Sequence, residues 1–263
     1  MPFVYSLCSS SKGNATYAGD KKSGILIDAG LSLRQLDRQL SLRDIHISAV
    51  KAIFITHEHS DHIKGLAAIA AALRVPLYGS RKTIEYLIEK NIIPAGATVY
   101  EIRKKTPQVA GITVSAFTIP HDSVHPLGYK LQFESGKSAC ICTDLGYITD
   151  EVYENLYGSD FVLLESNYDD NLLANGPYPH FLKKRIRSHS GHLSNEECAK
   201  TILSLFNMGT TKFTLGHLSE QNNRPEIAFA ETLSVLSKTG AIINEDYILT
   251  VAKQQSLGEA VTL

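Results

Sequence analysis

Short apolar runs alternate with amphipathic stretches along the whole chain. Phe3 to Leu7 and Asn14 to Ala18 read as strands joined by the small-residue loop Cys8-Ser-Ser-Ser-Lys-Gly13, and Gly24-Ile-Leu-Ile-Asp28 is a third strand that ends on a carboxylate. Ser32 to Leu40 has a helical pattern. Val50 to Ile55 is a β-branched and aromatic run of buried-strand type, and Ile63, Leu66, Ile69 and Leu73 then recur at helical spacing. Pro76 to Tyr78 is a short strand, and Ser80 caps a helix reaching about Lys90.

The second half repeats this plan. Ile112, Val114 and Ala116 alternate with more polar neighbours in a strand, and Tyr129 to Phe133 and Ala139 to Thr143 form a hairpin around Glu134-Ser-Gly-Lys137. Phe161 to Glu165 is a buried strand ending on another carboxylate. Lys183 to Arg187 reads as a basic helical run, and Ser194 with Glu197 forms a capping box for a helix ending near Met208. Lys212 to Leu215 and Tyr247 to Val251 are strands, separated by a helix opening at Pro225. Two halves, about 1–110 and 111–263, each carry strands followed by helices, which predicts a pseudo-symmetric sandwich in one domain, 1–263.

Composition narrows the function classes. The 263 residues are 43% hydrophobic and 20% charged, enough for a full core, and the formal charge of −1 supplies no overall basic field. Nucleic-acid binding would have to come from a local patch or from metals. No apolar stretch approaches membrane-spanning length and no export signal is seen, so a cytoplasmic protein with no membrane partner is expected. Cys8, Cys140, Cys142 and Cys198 lack a CxxC spacing and read as buried free thiols.

The chemistry concentrates at His57-Glu-His59-Ser-Asp61-His62. Four side chains of metal-ligand type lie within six residues, on the turn between a strand and a helix. His57 and His59 can point one way while Asp61 and His62 swing to a second point, so one stretch could feed two divalent ions. Imidazole and carboxylate donors suit Zn²⁺, Mn²⁺ or Fe. His121, His125, Asp144, Glu165 and His217 lie at or near further strand ends. Asp28 is either a turn residue or a carboxylate that orients a ligand histidine.

Taken together, HxHxDH at 57–62, His121, Asp144 and His217 resemble the five-part signature of the metallo-β-lactamase superfamily. Ser9 to Ala15, His121-Asp122, Thr143 to Gly146, Glu165 to Tyr168, Gly191 to Asn195 and Gly216 to Asn223 further resemble its YycJ-like (WalJ-like) group. The resemblance implies an αββα four-layer sandwich with two sheets flanked by helices and a di-metal site at one edge. It implies that His57, His59 and His121 hold one metal, Asp61, His62 and His217 the other, and that Asp144 bridges them, with His125 competing for the place of His121. By the same likeness Glu165 and His192 correspond to the pair that protonates the leaving group in ribonuclease Z-like relatives. Asp61 counts with them as catalytic, and Asp28, Asn14, His125, Asn167 and Tyr168 are expected beside the ligands or the substrate.

The implied activity is 5′-to-3′ exonuclease action on double-stranded DNA in repair, with Lys183, Lys184, Arg185 and Arg187 as candidate nucleic-acid contacts. Only 72 residues separate Asp144 from His217, too few for a β-CASP insertion, so the substrate channel must come from the domain's own loops or from a homodimer partner. A small-molecule (cyclic) phosphodiesterase or thioester hydrolase could use the same ligands. A non-catalytic metal-binding scaffold is a third reading, disfavoured by the intact ligand set.

Overall fold

The computed structural model describes residues 1–102, 106–254 and 260–263. The first sheet contains β1 (Phe3–Ser10), β2 (Gly13–Gly19), β3 (Gly24–Ile27), β4 (Val50–Phe54), β5 (Leu77–Gly79) and β6 (Val99–Glu101) in chain order. The second contains β7 (Gln108–Val109), β8 (Ile112–Thr118), β9 (Leu127–Phe133), β10 (Ser138–Cys142), β11 (Phe161–Glu165), β12 (Lys212–Gly216) and β13 (Ile248–Val251). A last strand, β14 (Ala260–Thr262), returns to the first sheet and pairs antiparallel with β1. Both sheets are mixed, with hairpins on one side and parallel strands on the other.

Period-two alternation assigns each strand to two apolar layers. Ile25, Ile27, Phe54, Ile141 and Leu163 face the space between the sheets, together with Val114 and Tyr129. Leu26 and Ile53 face outward onto α1 (Leu33–Ser41) and α3 (Leu66–Leu73), whose inner residues Leu36, Leu40, Leu66 and Ile69 are fully buried. Cys140, Cys142, Val162 and Leu164 face outward from the second sheet onto α5 (Asp150–Leu156), α8 (Asn195–Asn207) and α9 (Pro225–Ser237). Three apolar layers separate four structural ones, giving the αββα sandwich. Truncating a central residue such as Leu163 would cost about 2–5 kcal/mol.

Local chemistry sets several boundaries. The helical stretch after His59 is split by Gly65 into α2 (Ser60–Ile63) and α3. A Cβ on Gly65 would lie 1.7 Å from the Leu31 carbonyl oxygen, so only glycine fits there. Ser32 and Gln35 form a full capping box on α1, and Ser80 caps α4 (Arg81–Glu89). At α8 the Ser194 hydroxyl accepts from the Glu197 amide, which is half of the expected box. The basic run lies in α7 (His180–Ile186), which follows the short α6 (Asp170–Asn175). All four cysteines are free and buried, as expected. Among the described residues no helix is long and apolar enough to cross a membrane.

Candidate metal centre

The site gathers on one edge of the sandwich, where strands of both sheets end. Asp28 follows β3, Asp144 lies two residues past β10, and His217 follows β12. All three have left-handed backbones, with φ of 61°, 62° and 53°. That conformation turns the side chain sharply out of the strand direction, and Asp and His tolerate it better than most residues. The stretch 57–62 enters from β4, and His121 comes from the segment after β8.

His57, His59 and His121 converge, with His121 Nε2 3.3 Å from His59 Nδ1. Asp61, His62 and His217 form a second group, in which Asp61 Oδ2 lies 3.4 Å from His62 Nε2 and 3.6 Å from His217 Nε2. Asp144 lies between the two. Its Oδ2 is 3.0 Å from His62 Nε2, and its Oδ1 is 3.3 Å from His217 Nε2 and 3.8 Å from His121 Nε2. The Nε2 atoms of His57 and His217 and Oδ2 of Asp144 are buried without a hydrogen-bond partner. Buried polar atoms are rarely left so. Their convergence fits divalent cations, whose ligands must offer free lone pairs.

The other ring nitrogens are fixed from behind. Asp28, buried, accepts from His62 Nδ1 at 2.7 Å and from the Thr56 amide at 2.8 Å, so it fixes the His62 ring as well as closing a turn. Thr56 Oγ1 bonds Asp28 and lies 3.0 Å from His57 Nδ1. His121 Nδ1 donates to the Gly191 carbonyl at 3.0 Å. Asn14 Nδ2 donates to Asp61 Oδ2 at 3.0 Å, and Asn167 Nδ2 donates to the His217 carbonyl at 2.8 Å. Glu165, with no exposed surface, accepts from His192 Nδ1 at 2.8 Å and His217 Nδ1 at 2.9 Å.

Among the protein's own groups the charges divide sharply. Burial and the neighbouring His62 push His57 well below the ordinary imidazole range, and burial lowers His121 as well. Burial opposes protonation of His62 and His217 as well. There the opposing carboxylates win: Asp28 and Asp144 raise His62, and Asp144 with Asp61 and Glu165 holds His217 at about 10. Burial would raise Asp144, but His217 and His62 keep it ionised, well below the usual carboxylate range. Protons and cations compete for the same Nε2 atoms.

Other expected residues lie apart. His125 belongs to none of the ligand groups, and its residue lines a hollow with Ser80, Arg81 and Glu101. Tyr168 packs with Leu173 and Ile186 beneath α6 and α7. In the basic run, Arg185 grips Asp122 through two nitrogens at 2.6 and 2.9 Å, Arg187 pairs with Asp170 at 3.0 Å, and Lys183 donates to the Ala174 carbonyl. Lys183, Lys184 and Arg187 line a groove of about 740 Å³ with His180 and Ser188. Thr56 and Ser9, whose hydroxyl accepts from the His217 amide at 2.7 Å, were not singled out from sequence. A hydroxyl beside a ligand motif is too common to be a signal alone.

Comparison with known proteins gives a consistent assignment. The family model described as beta-lactamase superfamily domain matches residues 24–217. The chain is 34% identical over 244 residues to Exodeoxyribonuclease YycJ of Bacillus anthracis, covering 92% of this chain and 91% of that protein. It is 34% identical over 250 residues to Exodeoxyribonuclease WalJ of Streptococcus pneumoniae, with 93% and 92% covered. Among solved structures, the metallo-beta-lactamase fold protein YhfI from Bacillus subtilis superposes with a TM-score of 0.71 at 15% identity, over 97% of this chain and 98% of that one. Zn²⁺-bound PqqB from Methylobacterium extorquens gives a TM-score of 0.69 at 15% identity, covering 99% and 100%.

Proposed function

The chain belongs to the metallo-β-lactamase superfamily, in its YycJ/WalJ-like group of metal-dependent hydrolases, and on that premise we propose that it is a di-metal exodeoxyribonuclease that degrades double-stranded DNA from the 5′ end in DNA repair. The observation that carries the reading is the pair of candidate ligand groups with Asp144 lying between them, and the His192–Glu165 pair against them. Near-full-length similarity to two proteins named exodeoxyribonucleases supports DNA as the substrate.

In this reading His57, His59 and His121 hold one cation, Asp61, His62 and His217 the other, and Asp144 stands between them. The nitrogen-rich donor set favours Zn²⁺ or Mn²⁺. Bound there, the cations supply a water acidic enough to ionise near neutral pH and positive charge against the phosphodiester oxygens. Asp28 and Thr56 keep the His62 ring turned so that Nε2 faces the site. Asn14 steadies Asp61. Glu165 occupies Nδ1 of His192, which leaves Nε2 to deliver a proton to the leaving 3′-oxygen as the P–O bond breaks. The His192 side chain is 13% exposed, so substrate can reach it. Lys183, Lys184, Arg185 and Arg187 flank this centre as phosphate contacts.

The test is digestion of a linear duplex carrying a fluorophore at either the 5′ or the 3′ end, with Mn²⁺ or Zn²⁺ added, and Asp144→Ala as control. Early release of the 5′ label, absent in the variant, is expected. No release from any DNA, alongside brisk metal-dependent hydrolysis of bis(p-nitrophenyl) phosphate, would transfer the assignment to a small-molecule phosphodiesterase.

A further inference from the structure

Two half-exposed rings at the rim of the metal centre have no part in the chemistry above. Tyr147 is 42% exposed and His189 is also exposed, yet their rings meet with centroids 4.8 Å apart at 40°. Both lie on loops that supply the site. Tyr147 follows Asp144 by three residues and His189 precedes His192 by three. Three residues span at most about 11 Å, so the ring pair stands close to the reacting centre.

The loops carrying them are locked together. A Cβ on Gly146 would lie 2.2 Å from the His189 carbonyl oxygen, so the backbones touch. The Gly146 amide donates to the Pro120 carbonyl at 2.9 Å, and the Asp122 amide donates to the Ser190 carbonyl at 3.0 Å. Segments 120–122, 144–147 and 188–192 therefore form one rim. The basic groove lined by Lys183, Lys184, Arg187 and Ser188 begins one residue before His189, and Arg185 is anchored on Asp122 of the same rim.

Cationic side chains that follow a backbone, next to an aromatic surface that accepts a base, are the combination that binds unpaired nucleic-acid strands. We propose that the Tyr147–His189 pair is a nucleobase platform that receives one unpaired base of the strand being cut, while the α7 cations hold its phosphates. This rests on the nuclease reading above and adds a subsite to it. Stacked nucleotides advance roughly 3.4 Å each along a strand, so the platform serves a nucleotide within about three of the scissile phosphate. Stacking accepts any base, so the subsite favours the presence of a base without selecting which one.

The test uses duplexes with a short 5′ overhang in which one nucleotide, placed at successive positions from the end, carries either a normal base or an abasic site. The nucleotide is unpaired in both, so duplex opening does not differ. The native enzyme should prefer the base-bearing substrate in kcat/KM by about tenfold at one position, the scale of base–aromatic stacking. Tyr147→Ala and His189→Ala should bring that ratio close to one, and Tyr147→Phe should retain it. Native enzyme that releases nucleotides with no such preference, or a Tyr147→Ala enzyme that keeps the full ratio, would overturn the platform and leave the nuclease intact. Absence of release from every DNA would remove both.

Discussion

Replacing Glu165 by glutamine is the most searching perturbation of this site, because it keeps the shape and removes one acceptor. The two carboxylate oxygens take four donors. Oε1 accepts from His192 Nδ1 at 2.8 Å and His217 Nδ1 at 2.9 Å, and Oε2 accepts from the amides of Leu145 at 2.8 Å and Leu193 at 3.3 Å. A glutamine has one oxygen and one NH₂, so two donors lose their acceptor. If the oxygen stays with the imidazoles, two buried amides are orphaned at about 1–3 kcal/mol each. If the amide flips, both imidazoles must shift their proton to Nε2, and His217 then cannot offer that atom to a cation. Weakening of cation binding by about 10- to 100-fold follows. His192 also loses the carboxylate that holds its Nδ1 at 2.8 Å, and replacement of an orienting carboxylate by its amide costs up to about 10⁴ in kcat in a triad. The expected fall in kcat is thus on the order of 10² to 10⁴. Calorimetric Mn²⁺ titration with single-turnover DNA cleavage measures both effects. A glutamine variant within threefold of the native protein in affinity and rate would refute the shared-carboxylate argument.

Four further outcomes are expected. Burial pushes the thiols of Cys8 and Cys140 up to about 12, so no cysteine should react with Ellman's reagent in the native protein at pH 8, and four should react in denaturant. Because these folded-state values lie above the unfolded thiol near 8.5, that stability is complete below about pH 8.5 and is lost as pH rises towards 12; a denaturation midpoint unchanged at pH 10.5 would contradict it. Gly30→Ala would place a Cβ 1.8 Å from the Asp61 carbonyl oxygen and 2.4 Å from the Asn14 amide, so chemical denaturation should show a loss of about 3 kcal/mol or more, and an unaltered midpoint would count against the packing described. Neutralising Lys183, Lys184 and Arg187 together should lower the slope of log affinity for DNA against log salt by roughly two to three, whereas an unchanged slope would exclude the groove as a phosphate site.

Much of this architecture was legible because the central strands are compact runs, buried almost throughout, that end on a carboxylate or lead directly into a histidine. Phe161 to Glu165 and Lys212 to Gly216 are plain in the sequence for that reason. The elements that escaped are short and polar. β6 and β7 have three and two residues, and α6 begins with Asp-Asn. Such segments hold their form through neighbours and not through pattern. β14 pairs with β1 from the far end of the chain, a contact with no local signature. The motif at 57–62 announced itself by density, whereas the fold shows His121, and not His125, lying beside His57 and His59. The Gly191 carbonyl that receives His121 Nδ1 is 70 residues away in sequence. Asp28, balanced between a turn and a supporting role in the sequence, contacts the His62 ring in the fold.

The residues behind the candidate ligands do two jobs at once, and this explains why the strained strand ends persist. A non-glycine residue in the left-handed region costs roughly 1–2 kcal/mol, and Asp28, Asp144 and His217 all adopt it. Each is held by a side chain that also fixes an imidazole. Thr56 donates its amide to Asp28 and sets its hydroxyl against His57. Asn167 donates to the carbonyl of His217, and Glu165 holds the ring of the same residue. Glu165 takes the amide next to Asp144 and the rings of His192 and His217. Backbone turn and ring orientation are therefore coupled, and the donor atoms are aimed by the fold itself, independently of any cation. Strain of this kind survives only where the surroundings over-determine it. Changes at Thr56, Asn167 or Glu165 should consequently disturb fold stability and cation affinity together, while changes at an exposed rim residue such as Tyr147 should leave stability alone.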